Sequence, residues 1–304
     1  METTQDYALP EADKSTNVRI TATVAALSPA LAAATLGRFF LTVRRHRVPR
    51  REHGWLAGAR RGRVTVWLPT GRGRAAAELP VWTWGEAGAP AVLLVHGWEG
   101  RGSQLGAFAA PLVAAGFRVV ACDAPGHGRA PGGRSSMPEM TAAVAQLGRR
   151  LGGVAGVVAH SAGAAVTTAA LAADPFPAGR LVFVAPPADP GRFLHVAARL
   201  AGLDPEIAER AQARIEDCFG VRFDDYAPGL LAPRMDHPLL ALHDRDDREV
   251  PHAEGERVVE GWPAARLVTT QGLGHRRILR DDGVVRRAVE FLAARGEEAG
   301  RAAA

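Results

Sequence analysis

Two kinds of apolar patterning divide the chain. Residues 63–68 and 79–84 alternate apolar and polar with period two, and Pro69-Thr70-Gly71-Arg72-Gly73 lies between them. That is the pattern of an antiparallel hairpin at a sheet edge. From Ala91 onward the apolar runs become nearly continuous, at 91–95, 117–122, 154–158, 180–185, 239–242 and 265–269. Helical spacing fills the intervals at 103–115, 136–150, 162–173, 252–260 and 281–294. Strands apolar on both sides, alternating with helices, predict a parallel sheet covered on both faces. With the hairpin, the expected architecture is α/β, a mostly parallel eight-stranded sheet. The alternation breaks between Asp189 and His237, where 193–203 and 205–219 read as two helices before the irregular Tyr226-Ala227-Pro228-Gly229. Upstream of the hairpin an uncharged run extends from Ile20 to Gly37, close to the lower limit of about 18 residues for a membrane span. Ser28-Pro29 interrupts it in the manner of a helix N-cap and first-turn proline, predicting a helix from Ser28 to His46 that ends before Pro49. Leu36, Phe40 and Val43 would share one face.

Composition narrows the picture. Of 304 residues, 47% are apolar and 23% charged, which is ordinary globular usage. The net charge of +5 is carried by arginine, Lys14 being the sole lysine, and this reads as a coding bias that gives no sign of nucleic-acid binding. Arg38, Arg44, Arg45, Arg47, Arg50, Arg51, Arg60, Arg61 and Arg63 follow or end the N-terminal helix, with Glu52 the one acid among them. An apolar helix with such a flank could touch an anionic membrane surface weakly. The preferred reading packs the helix across the folded domain or its entrance, with the arginines in water. Cys122 and Cys218, far apart and without metal spacing, suggest reduced thiols in a reducing compartment. The first seventeen residues are acidic, the opposite of a secretory leader, so a cytoplasmic protein is expected.

In parallel sheets of this kind, chemistry gathers at the carboxyl ends of the strands. There the chain carries His96-Gly97-Trp98-Glu99-Gly100, Asp123-Ala124-Pro125-Gly126-His127-Gly128, Pro186-Pro187-Ala188-Asp189, His243-Asp244-Arg245-Asp246-Asp247-Arg248-Glu249-Val250-Pro251 and Gln271-Gly272-Leu273-Gly274-His275. Between the second and third of these lies Val157-Val158-Ala159-His160-Ser161-Ala162-Gly163-Ala164-Ala165, a strand running through a small-X-Ser-X-small turn directly into a helix. Such a turn can present a serine hydroxyl beyond the sheet. A serine in that place can also merely cap the helix.

These ordered loops resemble the α/β-hydrolase superfamily over about residues 60–295. The resemblance implies Ser161 as nucleophile, His275 as base and Asp247 as orienting acid, with Asp244, Asp246 and Asp189 as alternative acids. It also implies an oxyanion hole from the backbone N–H groups of Ala162 and Trp98, the Trp98 ring lining the acyl pocket, and a helical cap over 189–236. His243, beside the acid loop, is the other histidine of interest. The implied organisation is an N-terminal extension (1–60), a core (61–188 and 237–295), the cap insertion, and a tail (296–304). Three positions depart from the family pattern: Ala159 and Asp244 stand where glycine is usual, and Arg129-Ala130 follows Gly-His-Gly where a serine is usual. No strand is followed by a GxGxxG or phosphate loop, and no helix carries HExxH, so neither cofactor nor metal is expected. The implied activity is cleavage of a small-molecule or lipid-like ester, or a related acyl bond, through an acyl-enzyme. Peptidase, lysophospholipase, thioesterase, acyltransferase and cofactor-free peroxidase activities use similar loops. A non-catalytic scaffold that binds a lipid or partner is the alternative outside enzymes. Nothing in the sequence speaks to oligomeric state.

Overall fold

The structure is a computed structural model that describes residues 28–294. The acidic start, the apolar residues 20–27 and the tail 296–304 lie outside the described residues. Eight strands form one open sheet: β1 (Arg60–Thr70), β2 (Gly73–Trp84), β3 (Ala91–Val95), β4 (Arg118–Cys122), β5 (Val154–His160), β6 (Ala178–Val184), β7 (Leu239–Asp244) and β8 (Ala265–Thr270). Their order is β1-β2-β4-β3-β5-β6-β7-β8. β1 and β2 form the expected hairpin, and β2 joins β4 antiparallel; all later pairs are parallel.

The continuous apolar runs have a simple cause. Successive strand residues point to opposite faces, and both faces are buried. Leu93, Val157, Leu181 and Leu239 pack on one side with Met140 and Val166, while their neighbours Leu94, Val158, Val182 and Leu240 pack on the other with Phe108 and Phe291. The half-covered β1 buries Val66 and Leu68 but leaves Trp67 exposed between them.

The N-terminal helix, α1 (Pro29–Phe40), begins as expected, with the Ser28 hydroxyl accepting the Leu31 N–H. It ends six residues before His46, correcting the sequence expectation. The chain instead runs extended over the loop 133–135: the Ser135 N–H donates to Leu41 O, the Val43 N–H donates to Gly133 O, and Thr42 bridges to Arg134. Partners on a distant loop outcompete the helical ladder. A short helix that the apolar pattern did not signal, α2 (Arg50–Trp55), follows. Its Glu52 is buried and receives Arg101 Nε at 2.7 Å and the Ser103 hydroxyl at 2.6 Å.

Around the sheet lie α3 (Ala109–Ala114), α4 (Met137–Arg150), α5 (Ala162–Ala173), α9 (His252–Glu260), α10 (Gly274–Arg277) and α11 (Asp282–Ala293); the insertion after β6 contributes α6 (Arg192–Leu200), α7 (Pro205–Phe219) and α8 (Pro228–Leu231). α6, α7 and α1 share a separate apolar cluster built on Ala32, Ala33, Leu36, Leu194, Ala208, Ala211 and Ile215. The helical layer beside the core is thus assembled from two remote parts of the chain. The Leu36 face of α1 packs against α7. No described helix is long and apolar enough to cross a membrane.

Candidate active site

β5 ends at His160 and α5 begins at Ala162, leaving Ser161 as the whole turn. Its backbone lies at φ 53° and ψ −125°, a region that side-chain-bearing residues rarely adopt. Its hydroxyl makes no capping bond to α5, so the helix-cap alternative does not describe it. The turn is pinned by the Ser161 N–H, which donates to Val184 O at 2.9 Å. Close packing explains the small neighbours. A Cβ on Gly163 would lie 2.5 Å from Val95 O, and one on Gly97 only 2.9 Å from Ser161 Cβ. Ala159 is wholly buried and tolerates one methyl in the strand. The contact at Gly97 also brings the turn carrying Trp98 against Ser161. Ala162 is the first residue of α5, where helix N–H groups lack internal partners.

From the far side of the sheet, the loops after β7 and β8 converge. His275 Nδ1 donates to Asp247 Oδ2 at 2.7 Å, and both residues are buried. That bond leaves the lone pair on His275 Nε2. Asp247 Oδ1 accepts the N–H groups of Glu249 at 2.8 Å and Val250 at 2.9 Å. Burial works against ionised Asp247, but the His243 and His275 rings and the Val250 N–H outweigh it and hold the carboxyl well below the usual range. His243 donates to Val250 O at 3.0 Å, with Asp247 Oδ2 at 3.6 Å, too far for a hydrogen bond and near enough for its dipole.

His160 links the two halves of the site. Its Nε2 donates to the His275 carbonyl at 3.0 Å, and the two rings lie 4.5 Å apart. Burial and the neighbouring His275 keep its pKa well below the ordinary value. The Ser161 hydroxyl itself has no hydrogen-bond partner among the described residues. Such bonds are often loose before substrate arrives.

The alternative acids have other work. Asp244 is fully buried and accepts from Thr270 Oγ1 and from the N–H groups of Asp246, Leu273 and Gly274 at 2.7–3.0 Å. These bonds tie the acid loop to the residue before His275 and lower the Asp244 pKa despite burial. Asp246 accepts from the Gly272 N–H, and Asp189 from the Gly191 N–H. Apart from the Thr270 hydroxyl, the donors to these acids are backbone N–H groups.

His96 and His127 brace the floor. His96 donates through Nδ1 to Gly97 O and accepts the Ala124 N–H, and burial lowers its pKa to about 4. His127 donates to Pro125 O, and burial lowers it to about 3. Trp98 packs edge-on against His127 at 5.2 Å and stacks with Phe40 at 6.4 Å, and Phe40 stacks in turn with Phe223 at 6.4 Å. Phe40 comes from α1 and Phe223 from the insertion; neither was singled out from sequence, because no local motif marks a contact between such distant segments. Among the described residues no cluster of three or more His, Cys, Asp or Glu is arranged to hold a metal ion. A groove of about 430 Å³ between α1, the β1–β2 turn and α7 is lined by none of Ser161, Asp247, His275 or Trp98.

The sequence model of the alpha/beta hydrolase family matches residues 92–288. No curated protein matches the chain. Among solved structures, a candidate lipase from Acinetobacter baumannii AYE superposes with a TM-score of 0.60 at 18% identity, covering 82% of this chain and 97% of its own. The esterase RhEst1 from Rhodococcus sp. ECU1013 gives 0.56 at 20% identity, covering 78% and 99%. A bromoperoxidase from Bacillus anthracis gives 0.54 at 16% identity, covering 76% and 99%.

Proposed function

Because the chain belongs to the alpha/beta hydrolase family, we propose that it is a serine hydrolase that cleaves a carboxylic ester, or a related acyl bond, through an acyl-enzyme. One observation carries the reading: the Asp247–His275 pair, bonded at 2.7 Å, is tied by His160 to the strained turn that holds Ser161. A serine hydroxyl is a weak nucleophile until a base takes its proton. In the proposed reaction Ser161 Oγ attacks the acyl carbon and its proton passes to His275 Nε2. Asp247 holds the ring's tautomer and stabilises the imidazolium. The N–H groups of Ala162 and Trp98 receive the oxyanion, each such donor being worth about 10²–10³ in rate. His275 then protonates the departing alcohol, and water releases the acid by the reverse path. The Trp98, Phe40 and Phe223 rings favour a small-molecule or lipid-like acyl group over a strongly polar one.

The test is a series of p-nitrophenyl esters of increasing acyl length, with Ser161→Ala as control, alongside fluorophosphonate labelling of Ser161. Loss of about 10⁶ in kcat in the variant is expected by the behaviour of other triads. Full esterase activity in Ser161→Ala, or failure of the probe to label Ser161, would overturn the proposal.

A further inference from the structure

The turn that presents the Trp98 N–H is built from an unsuitable residue. Gly97 and Gly100 close it, with the Gly100 N–H donating to Gly97 O at 3.0 Å, and Glu99 occupies its third position at φ 55°. A turn with a positive φ at that position favours glycine or asparagine. A glutamate persists there only if its surroundings hold it.

What holds it lies outside the sheet. The Glu99 carboxylate is only 13% exposed and accepts Arg44 Nε at 3.0 Å, the Arg44 N–H at 3.3 Å and His46 Nε2 at 3.2 Å. All three donors belong to the extended strap that follows α1. The strap has its own anchorage. Arg45 Nη2 donates to the carbonyls of Gly126, Ala130 and Gly132, and Val43 and Thr42 join the 133–135 loop. At its start, Phe40 lies against the Trp98 ring. The strap therefore grips the turn at two successive residues, the ring of 98 and the carboxylate of 99, while being fastened to a different loop.

We infer that Arg44 and Glu99 are positioning residues for the oxyanion hole: the strap sets where the Trp98 N–H points. The inference rests on the serine-hydrolase reading above. A donor fixed in advance acts on charge that develops in the transition state, so its displacement lowers kcat and leaves ground-state binding largely alone. A misplacement of about 1 Å can cost about 10²-fold.

Two variants test this on a p-nitrophenyl ester that the wild type turns over. Glu99→Gly keeps a backbone free to adopt the turn, so folding is preserved while the carboxylate's hold on the strap is lost and the Phe40–Trp98 contact remains. Arg44→Ala removes the donor from the strap side. Each is expected to lower kcat by about 10- to 100-fold with KM within about twofold. The double variant should be no worse than either single one, since both break the same link, and Arg44→Lys should recover part of the loss. The second-order rate of fluorophosphonate labelling at Ser161 should fall in parallel, which gives a readout independent of substrate choice. Wild-type kcat and labelling rate in either variant, a loss confined to KM, or losses that multiply in the double variant would overturn the inference. Ser161→Ala separates the two readings. Activity surviving in that variant removes the serine-hydrolase proposal itself. An inactive Ser161→Ala beside fully active Glu99→Gly and Arg44→Ala removes only the role of the strap.

Discussion

At Ser161 the backbone adopts a conformation that costs on the order of 1–3 kcal/mol. The surrounding contacts have to outweigh that cost, and they do so through small residues at 97 and 163 that admit close approach. This is why the serine was legible in sequence: sterics at the turn restrict which neighbours are allowed, and the restriction is local. The histidine was legible for a related reason, standing in a glycine-flanked loop after the last strand. The choice among three crowded aspartates was less determined. Asp247 meets His275, while Asp244 reaches four other donors, and one-residue differences in a loop decide which way each carboxyl faces. Under the proposed mechanism, Asp247→Asn should keep the loop geometry and lower kcat by about 10⁴, because the amide favours the wrong imidazole tautomer. Steady-state kinetics on the best ester measures this, and a loss below tenfold would remove Asp247 from the role.

At the scale of elements, most helices and strands followed directly from periodicity, and the failures share a cause. α1 stops at Phe40 although the apolar spacing continues to Val43, because residues 41–43 find backbone partners on the 133–135 loop. α2 exists where the sequence shows mainly arginines, and its Glu52 is held by Arg101 and Ser103. Both outcomes depend on tertiary contacts that local propensity does not contain. Leu36 is 3% exposed in the cluster joining α1 to α6 and α7. Leu36→Ala should cost about 2–5 kcal/mol locally. Because this cluster is distinct from those on the two sheet faces, hydrogen exchange should quicken in α1 and α7 and remain slow in β3 and β5. Faster exchange throughout the sheet would contradict that separation.

At the scale of the whole molecule, the eight-stranded, mostly parallel sheet was readable because burial on both faces leaves a continuous apolar signature. What could not be read was the joining of the first described helix to an insertion far along the chain. The buried histidines also set a global property. His96 and His127, with pKa values lowered by burial to about 4 and 3, and His160, which burial also holds well below its ordinary value, stay neutral in the fold. In the unfolded chain they take up protons near pH 6.5. Between about pH 6.5 and 4 the unfolded state therefore binds more protons, and stability falls with falling pH, by up to about 1.4 kcal/mol per unit for each ring. Below about pH 4 the lowered Asp247 adds to the loss, since its contribution is present above the unfolded carboxylate value and disappears on protonation. Asp123 and Glu139, raised by burial, offset part of this by protonating first in the native state. Urea midpoints should decline steadily from pH 7 to pH 4; a flat profile would show that these rings are not buried neutral.

The helical layer that joins α1 to the insertion after β6 has a consequence for synthesis. α1 and its strap leave the ribosome before the sheet, but the apolar face around Leu36 waits for Ile207, Ala211 and Ile215, and Phe40 waits for Phe223. Domains fold from the N-terminus as they emerge, yet here the first described helix is completed by helices more than 150 residues further along the chain. A nascent chain that stops before the insertion carries an uncovered apolar helix, an offer to chaperones, and holds Ser161 without Asp247 or His275. Under the proposed mechanism its chemistry can begin only once His275, near the end of the 304 residues, has been added.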